Sequence, residues 1–147
     1  MGKFRAIGGL LAILSGSTIA LAQEIPDLKG TWTPSKNGAH IIDGDPRHKA
    51  SGTVPLPDNN TLQRNATKFV YRFVGQEGRT FWGVLSSTKV SEKLIGAISV
   101  DGKRFVMADE DGTFHGTIVN ADTFDYCYTH VTPTSRAVAC GTMLREK

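Results

Sequence analysis

Asp109-Glu110-Asp111-Gly112 sets three carboxylates in a row. Two chemistries are open to such a cluster. It can attract a cation, but the run lacks the alternating ligand positions of a calcium loop. Alternatively, Glu110 and Asp111 can act as acid and base, provided that burial separates their pKa values. Alternating apolar residues flank the run, and Asp-Gly favours a tight hairpin. The run therefore reads as an exposed turn, where no burial is available, and no metal is assigned to it. The four histidines, His40, His48, His115 and His130, show no metal-ligand spacing. GxSxG, HExxH, paired CxxC and phosphate-cradling glycine loops are absent from the sequence after the N-terminal segment. No catalytic residue, metal ligand or cofactor is assigned, and the chain is expected not to be an enzyme. Cys127 and Cys140 are the two cysteines of the chain. In an exported protein such a pair reads as a disulfide rather than a metal site or a nucleophile.

Export is the expectation set by the N-terminus. "MGKFR" is basic, the run that follows is apolar and uncharged as far as Glu24, and Ala20-Leu21-Ala22 fits the small-x-small cleavage rule. Residues 1–22 are read as a signal peptide. Residues 23–147 are read as a single periplasmic or secreted domain with no membrane span. Removing Lys3 and Arg5 leaves 15 basic against 14 acidic residues, because the segment holds two of the 17 basic residues and none of the acids. Cations are spread along the chain rather than clustered, which argues against nucleic acid as a partner.

The elements that must carry these residues are strands. "TKFVYRFV", "RTFWGVLSS", "EKLIGAISV", "KRFVMAD", "TFHGTIV", "DTFDYCYTH" and "RAVACGTML" alternate with period two and are separated by short turns. "LKGTWTP" and "AHII" add two strands near the N-terminus. The fold class is all-β, an antiparallel up-and-down β-barrel of about eight to nine strands. Residues 43–67, rich in Pro, Gly, Asn and charge, form a long loop of functional type or a surface excursion. Asn59 and Asn65 head N-x-Thr sequons within it.

Hairpin geometry gives a trial register. A turn at Asp101-Gly102 sets Ile98 opposite Phe105 and Gly96 opposite Met107. A turn at Asp111-Gly112 sets Met107 opposite Gly116 and Phe105 opposite Ile118. A three-residue turn ending at a left-handed Gly78 sets Phe73 opposite Phe81 and Tyr71 opposite Gly83, with Gly83 then facing Gly96. A turn at Pro133-Thr134 sets Cys127 opposite Cys140, close enough to bond. One face then carries Phe69, Tyr71, Phe73, Phe81, Leu85, Leu94, Ile98, Phe105, Met107, Phe114, Ile118, Phe124, Tyr126 and Tyr128, while Trp82, Val84, Ile95, Val106 and Val138 interrupt the polar opposite face. His130 points inward with them and His115 outward. Gly83, Gly96, Gly116 and Gly141 fall near one level of this face. Either they let the sheet coil under aromatic cover, or they leave space for a ligand.

"DLKGTW", Asp27 to Trp32, resembles the opening strand of the calycins, the lipocalin and avidin barrels, with Gly30 and Trp32 as the best matches. "DYCY", Asp125 to Tyr128, is similar to the second lipocalin motif. The resemblance implies a barrel in which Arg145 packs over Trp32. The chain also resembles small exported bacterial proteins. Trp32 and Trp82 are its two tryptophans, so the later-strand tryptophans of biotin binders are missing and biotin is not implied.

The function expected from these features is non-enzymatic binding of a small apolar or amphipathic ligand. Trp32, Tyr71, Phe73, Phe81, Phe105, Met107, Phe114, Tyr126 and Tyr128 are the candidate wall. The alternative is a periplasmic interaction module or inhibitor that meets a protein partner through the 43–67 loop, where Val54, Leu56 and two prolines form "TVPLP". Trp82, Val84, Ile95 and Val106 cluster on the outer face beside Ala97 and Ala108. They are the candidate interface of a homo-oligomer.

Overall fold

The structure, a computed structural model, describes residues 24–44, 62–64, 67–133 and 135–147. Residues 1–22, read as a signal peptide, lie outside that set, as do Gln23, His48, Val54, Leu56, both sequon asparagines and most of the long loop. The described chain is all-β. Its strands are β1 (Gly30–Pro34), β2 (Ala39–Gly44), β3 (Val70–Glu77), β4 (Thr80–Ser86), β5 (Ser91–Ile98), β6 (Arg104–Ala108), β7 (Gly112–Asn120), β8 (Thr123–Val131) and β9 (Ser135–Arg145). From β3 to β9 each strand pairs antiparallel with its sequence neighbour. β1 then bonds to β3 on one side and to the end of β9 on the other, which closes an eight-stranded barrel. β2 is the ninth strand. It pairs along the rest of β9, Ala39 with Cys140 through Gly44 with Ser135. The 43–67 loop therefore starts two residues later than its composition suggests, because Asp43 and Gly44 complete β2.

The inner face is the one expected. Tyr71, Phe73, Phe81, Leu85, Leu94, Ile98, Phe105, Met107, Phe114 and Phe124 are all buried, joined by Leu28, Trp32 and Met143. Phe69, Ile118, Tyr126 and Tyr128 pack against them. Arg72, Lys93, Arg104, Thr117 and Asp125 face water on the other side. The last hairpin has the expected register throughout, and Cys127 and Cys140 are bonded with an S–S distance of 2.02 Å.

Three pairings differ from the trial register. The β6–β7 turn sits at Glu110-Asp111 rather than Asp111-Gly112, so Phe105 faces Gly116 and Met107 faces Phe114. The cause is local: the Asp109 carboxylate accepts the amide hydrogens of Asp111 and Gly112, and this side-chain turn fixes the bend. In the β3–β4 hairpin Gly78 is left-handed as expected, with φ of +53°, but Glu77 pairs directly with Thr80 and a bulge follows between Phe73 and Gly75. Phe73 consequently faces Gly83, and Tyr71 faces Leu85. Across β4–β5, Gly96 meets Phe81 instead of Gly83.

Those shifts explain two of the inner glycines. A Cβ on Gly96 would lie 2.2 Å from the Phe81 ring, and one on Gly116 would lie 2.0 Å from the Phe105 ring. Each ring covers the bare backbone of the neighbouring strand. At Gly96 and Gly116 the space is thus filled by aromatic cover, whereas a Cβ on Gly83 would meet the backbone of Arg72. Gly116→Ala is expected to lower stability by about 1–3 kcal/mol, since the buried Phe105 ring must leave its rotamer. Urea unfolding measures it, and an unchanged midpoint would contradict this packing.

Candidate functional site

The two ends of the barrel differ. At one end Leu28, Trp32, Phe73, Phe105, Phe124 and Met143 fill the interior. Trp32 lies 4.7 Å from Phe124, centroid to centroid, and its indole N–H donates to the Leu28 carbonyl at 2.9 Å. The Arg145 guanidinium sits 4.3 Å above the Trp32 ring. It also donates to the carbonyls of Lys29, Asp27 (2.6 Å) and Ala121 (2.8 Å) and meets Asp122 at 3.3 Å. These contacts tie the segment before β1, the end of β9 and the β7–β8 turn into a closed base.

Among the described residues, the other end is open. A cavity of about 1560 Å³ lies between β2 and the β3–β8 wall, larger than the roughly 300–1,000 Å³ of ordinary ligand pockets. Its deep wall is aromatic and apolar: Phe69, Tyr71, Leu85, Phe114, Tyr126 and Tyr128. The rings are in mutual contact, with Phe114 4.5 Å from Tyr128 and Tyr71 5.7 Å from Tyr126. Gly44, Gln63 and Thr67, at the described borders of the long loop, line the same opening. Gln63 bridges the free edge of β2 through two backbone bonds to Ile42. Of the nine expected wall residues, Tyr71, Phe114, Tyr126 and Tyr128 line this cavity. Trp32, Phe73, Phe81, Phe105 and Met107 do not. The first four are stacked as packing toward the closed end, and Met107 is buried in the same core.

The polar rim went largely unseen in the sequence. Glu92, Asp109 and Asp111 bring one carboxylate oxygen each within 4.8 Å of one another. Asp111 meets His130 Nδ1 at 2.9 Å and accepts from the Tyr128 hydroxyl at 3.1 Å. His130 Nε2 lies 3.0 Å from Ser135 Oγ, which lies 2.8 Å from Thr132 Oγ1. Asp43 is held by Arg136 at 2.9 Å. Among the described residues the Glu92 carboxylate has no hydrogen-bond or ion-pair partner. The turn at Asp109–Gly112 is less exposed than its sequence suggests. Glu110 does face water, but Asp109 and Asp111 are partly buried against the cavity.

Burial and crowding set the ionisation here. Burial pushes the Glu92 carboxyl up, and the charges of Asp111, Asp109 and Glu110 push it further. Burial likewise raises Asp109, against the lowering effect of the two amide hydrogens it accepts. Burial, then the neighbouring carboxylates, keeps the Tyr128 hydroxyl protonated. Burial raises Tyr71 as well, with Tyr126 adding to it.

The order Asp111–His130–Ser135 is that of a carboxylate, base and hydroxyl nucleophile. Ser135 is only 4% exposed and does not line the cavity, and Thr132 occupies the side of its hydroxyl away from His130. The array ties the β8–β9 hairpin to the rim and presents the imidazole, not the hydroxyl, to the opening.

The raised Glu92 carboxyl has a consequence for stability. The folded chain holds that proton more tightly than the unfolded chain does. Stability therefore falls as pH rises from the ordinary glutamate value, about 4.3, through the raised folded value. The penalty is complete above that window and absent below it. Glu92→Gln is expected to be more stable than the wild type at neutral pH, with the gap closing below about pH 4. Urea midpoints taken across that range measure it; a gap independent of pH would refute the assignment.

No family model matches the chain, and no curated protein matches it. Among solved structures it is similar to the S-type phycobiliprotein lyase CPES from Guillardia theta, at 13% identity and a TM-score of 0.37, over 82% of this chain and 89% of that chain. The strand order and the β1–β9 closure make the fold a closed, antiparallel, eight-stranded β-barrel with one additional strand.

Proposed function

We propose that the protein is an exported, non-enzymatic carrier or sensor that binds a small amphipathic molecule in the open half of its barrel. The observation that carries this reading is the asymmetry of the interior: one end is filled by packed rings, while the other keeps a cavity of about 1560 Å³ with an aromatic wall and a polar rim. Apolar burial supplies the affinity. At about 25 cal/mol per Å², a ligand body that buries about 200 Å² gains roughly 5 kcal/mol. The rim groups and the Tyr126 and Tyr128 hydroxyls set its orientation. The Cys127–Cys140 disulfide supports an oxidising compartment. Among the described residues, no helix is long and apolar enough to cross a membrane.

A neutral fluorescent probe, 1-naphthylmethanol, tests the cavity. Binding is expected, and Ala139→Trp, which places an indole in the opening beside Tyr128, is expected to weaken it at least about tenfold, or about 1.4 kcal/mol. Native mass spectrometry of protein purified from its host is expected to show a bound small molecule. A folded wild type that binds neither probe nor host ligand would refute this function.

The outer face supports self-association. Trp82, Ile95 and Val106 are 44%, 66% and 51% exposed, and Trp82 pairs directly with Ile95 across β4–β5. Val84, on the same face, is half-buried. Light scattering is expected to give a mass above one chain at micromolar concentration and a shift toward one chain in Trp82→Ala. A wild-type mass of one chain would reject the interface.

A further inference from the structure

We propose that the floor of the cavity selects a neutral hydrogen-bond acceptor: the ligand carries a ketone- or amide-type carbonyl that accepts from the phenolic hydroxyls of Tyr71 and Tyr126. The inference rests on the cavity reading above and deepens it by naming the ligand's polar group.

The chain has three tyrosines, all three line the cavity, and their hydroxyls are used differently. Tyr128 donates to Asp111 at 3.1 Å, which commits its one hydrogen. Tyr71 and Tyr126 have, among the described residues, only each other as hydroxyl partners, and their rings meet edge-on at 5.7 Å. A phenol carries a single hydrogen, so when one of the pair donates to the other, one O–H is left without an acceptor. Tyr71 is 3% exposed and belongs both to the packed core and to the cavity lining. The hydroxyl pair therefore sits where the filled base meets the open half. Tyr126 is half-buried, and its hydroxyl oxygen would lie 3.7 Å from a Cβ on Gly141. At that position β9 sets bare backbone beside the hydroxyl, not a side chain.

His40 is a second unmet group. It stands opposite Ala139, which in turn stands opposite Tyr128, so the three share the inner face. His40 lines the same cavity, and its Nε2 is buried with no hydrogen-bond partner among the described residues. Packing gains nothing from such groups, and an unused buried polar group is costly. A polar atom on a ligand gives the cavity a partner for them.

The hydroxyl pair determines the class of that atom. The aromatic ring draws in the oxygen lone pair, so a phenol donates better than it accepts. Burial, with the Tyr126 hydroxyl beside it, holds the Tyr71 hydroxyl protonated, so it remains a donor. A hydrocarbon would leave the spare O–H unmet. An anionic acceptor would meet like charge, because Asp109 and Asp111 line the same cavity and the charge of Asp109 already reaches Tyr71. Lys36, Lys68 and Lys89 line the opening too, but they are exposed, where water and salt screen them.

Three probes share one naphthalene body: 1-acetonaphthone carries a neutral carbonyl, 1-ethylnaphthalene no polar atom and 1-naphthoate a carboxylate. Equilibrium dialysis against the full folded protein at neutral pH measures each affinity in the wild type, in Tyr126→Phe and in Tyr71→Phe/Tyr126→Phe, changes that keep both rings. In the double variant the ratio of ketone to hydrocarbon affinity is expected to fall at least about fivefold, the factor set by one net hydrogen bond, while the hydrocarbon affinity does not fall. Tyr126→Phe alone is expected to lower the ratio part of the way, and it decides the matter where the double variant does not fold. The carboxylate is expected to bind the wild type more weakly than the ketone. If the ratio is the same in the wild type and the folded variants, recognition by the hydroxyl pair is overturned while the cavity reading stands. If the carboxylate binds more tightly than the ketone, the neutral acceptor is overturned. If no probe binds to the folded protein, both readings fail.

Discussion

Closure of the sheet depends on the five residues of β1, which pair with β3 on one edge and with β9 on the other. Without β1, the strands from β3 to β9 would form an open, twisted sheet with two unpaired edges. Trp32 is the residue that makes this short strand sufficient. Its backbone stands opposite Tyr71 on one side and Arg145 on the other, and its ring fills the interior against Phe124. Arg145 then covers the indole and satisfies three carbonyls from two separate segments. A buried aromatic ring beneath a multiply bonded guanidinium is costly to open, because water would have to replace several hydrogen bonds at once.

That firmly closed base frees the opposite end from the task of holding the barrel together. Among the described residues β2 pairs with β9 alone, apart from the Ile42–Gln63 bridge, and makes no pairing with β3. Among the described residues, no neighbouring strand covers the upper interior. Side chains that would otherwise be packing residues, such as Tyr126 and Tyr128, there become a wall. The same gap allows carboxylates to approach the interior while keeping contact with water, which a fully closed barrel could not tolerate without paired cations.

The cysteine pair and the histidine array reinforce this division. Cys127–Cys140 staples β8 to β9 on the outer face, next to the place where β2 joins β9. His130 and Ser135 connect the same two strands from within. The rim of the cavity is thus anchored on its β8–β9 side from both faces of the sheet, and Asp111 reaches His130 from the adjacent turn. Rigid support of this kind is what a preformed binding site requires, since a loose wall would spend binding free energy on ordering itself.

The sequence by itself determined which side chains face inward, that the chain closes on itself as a barrel, and that Cys127 meets Cys140. Strand side chains alternate with a period of two, so the run of Phe, Tyr, Leu and Ile at every second position defines the inner face whatever the details of pairing. The same periodicity hid the exact pairing. Moving a hairpin register by two residues leaves every side chain on its own face, so the pattern cannot tell Phe105 opposite Ile118 from Phe105 opposite Gly116. Only the tertiary structure decided that, through the Asp109 side-chain turn and the bulge at Val74, and with it which ring covers which glycine. The acidic rim was hidden for a second reason: Glu92 lies far along the chain from Asp109 and Asp111 and joins them only because β5, β6 and β7 lie side by side. The division of the interior into a filled base and an open cavity belongs to the tertiary structure as well. It follows from the pairing of β1 with both β3 and β9 at one end and of β2 with β9 at the other, and residues on either side of that level share one alternation and one composition.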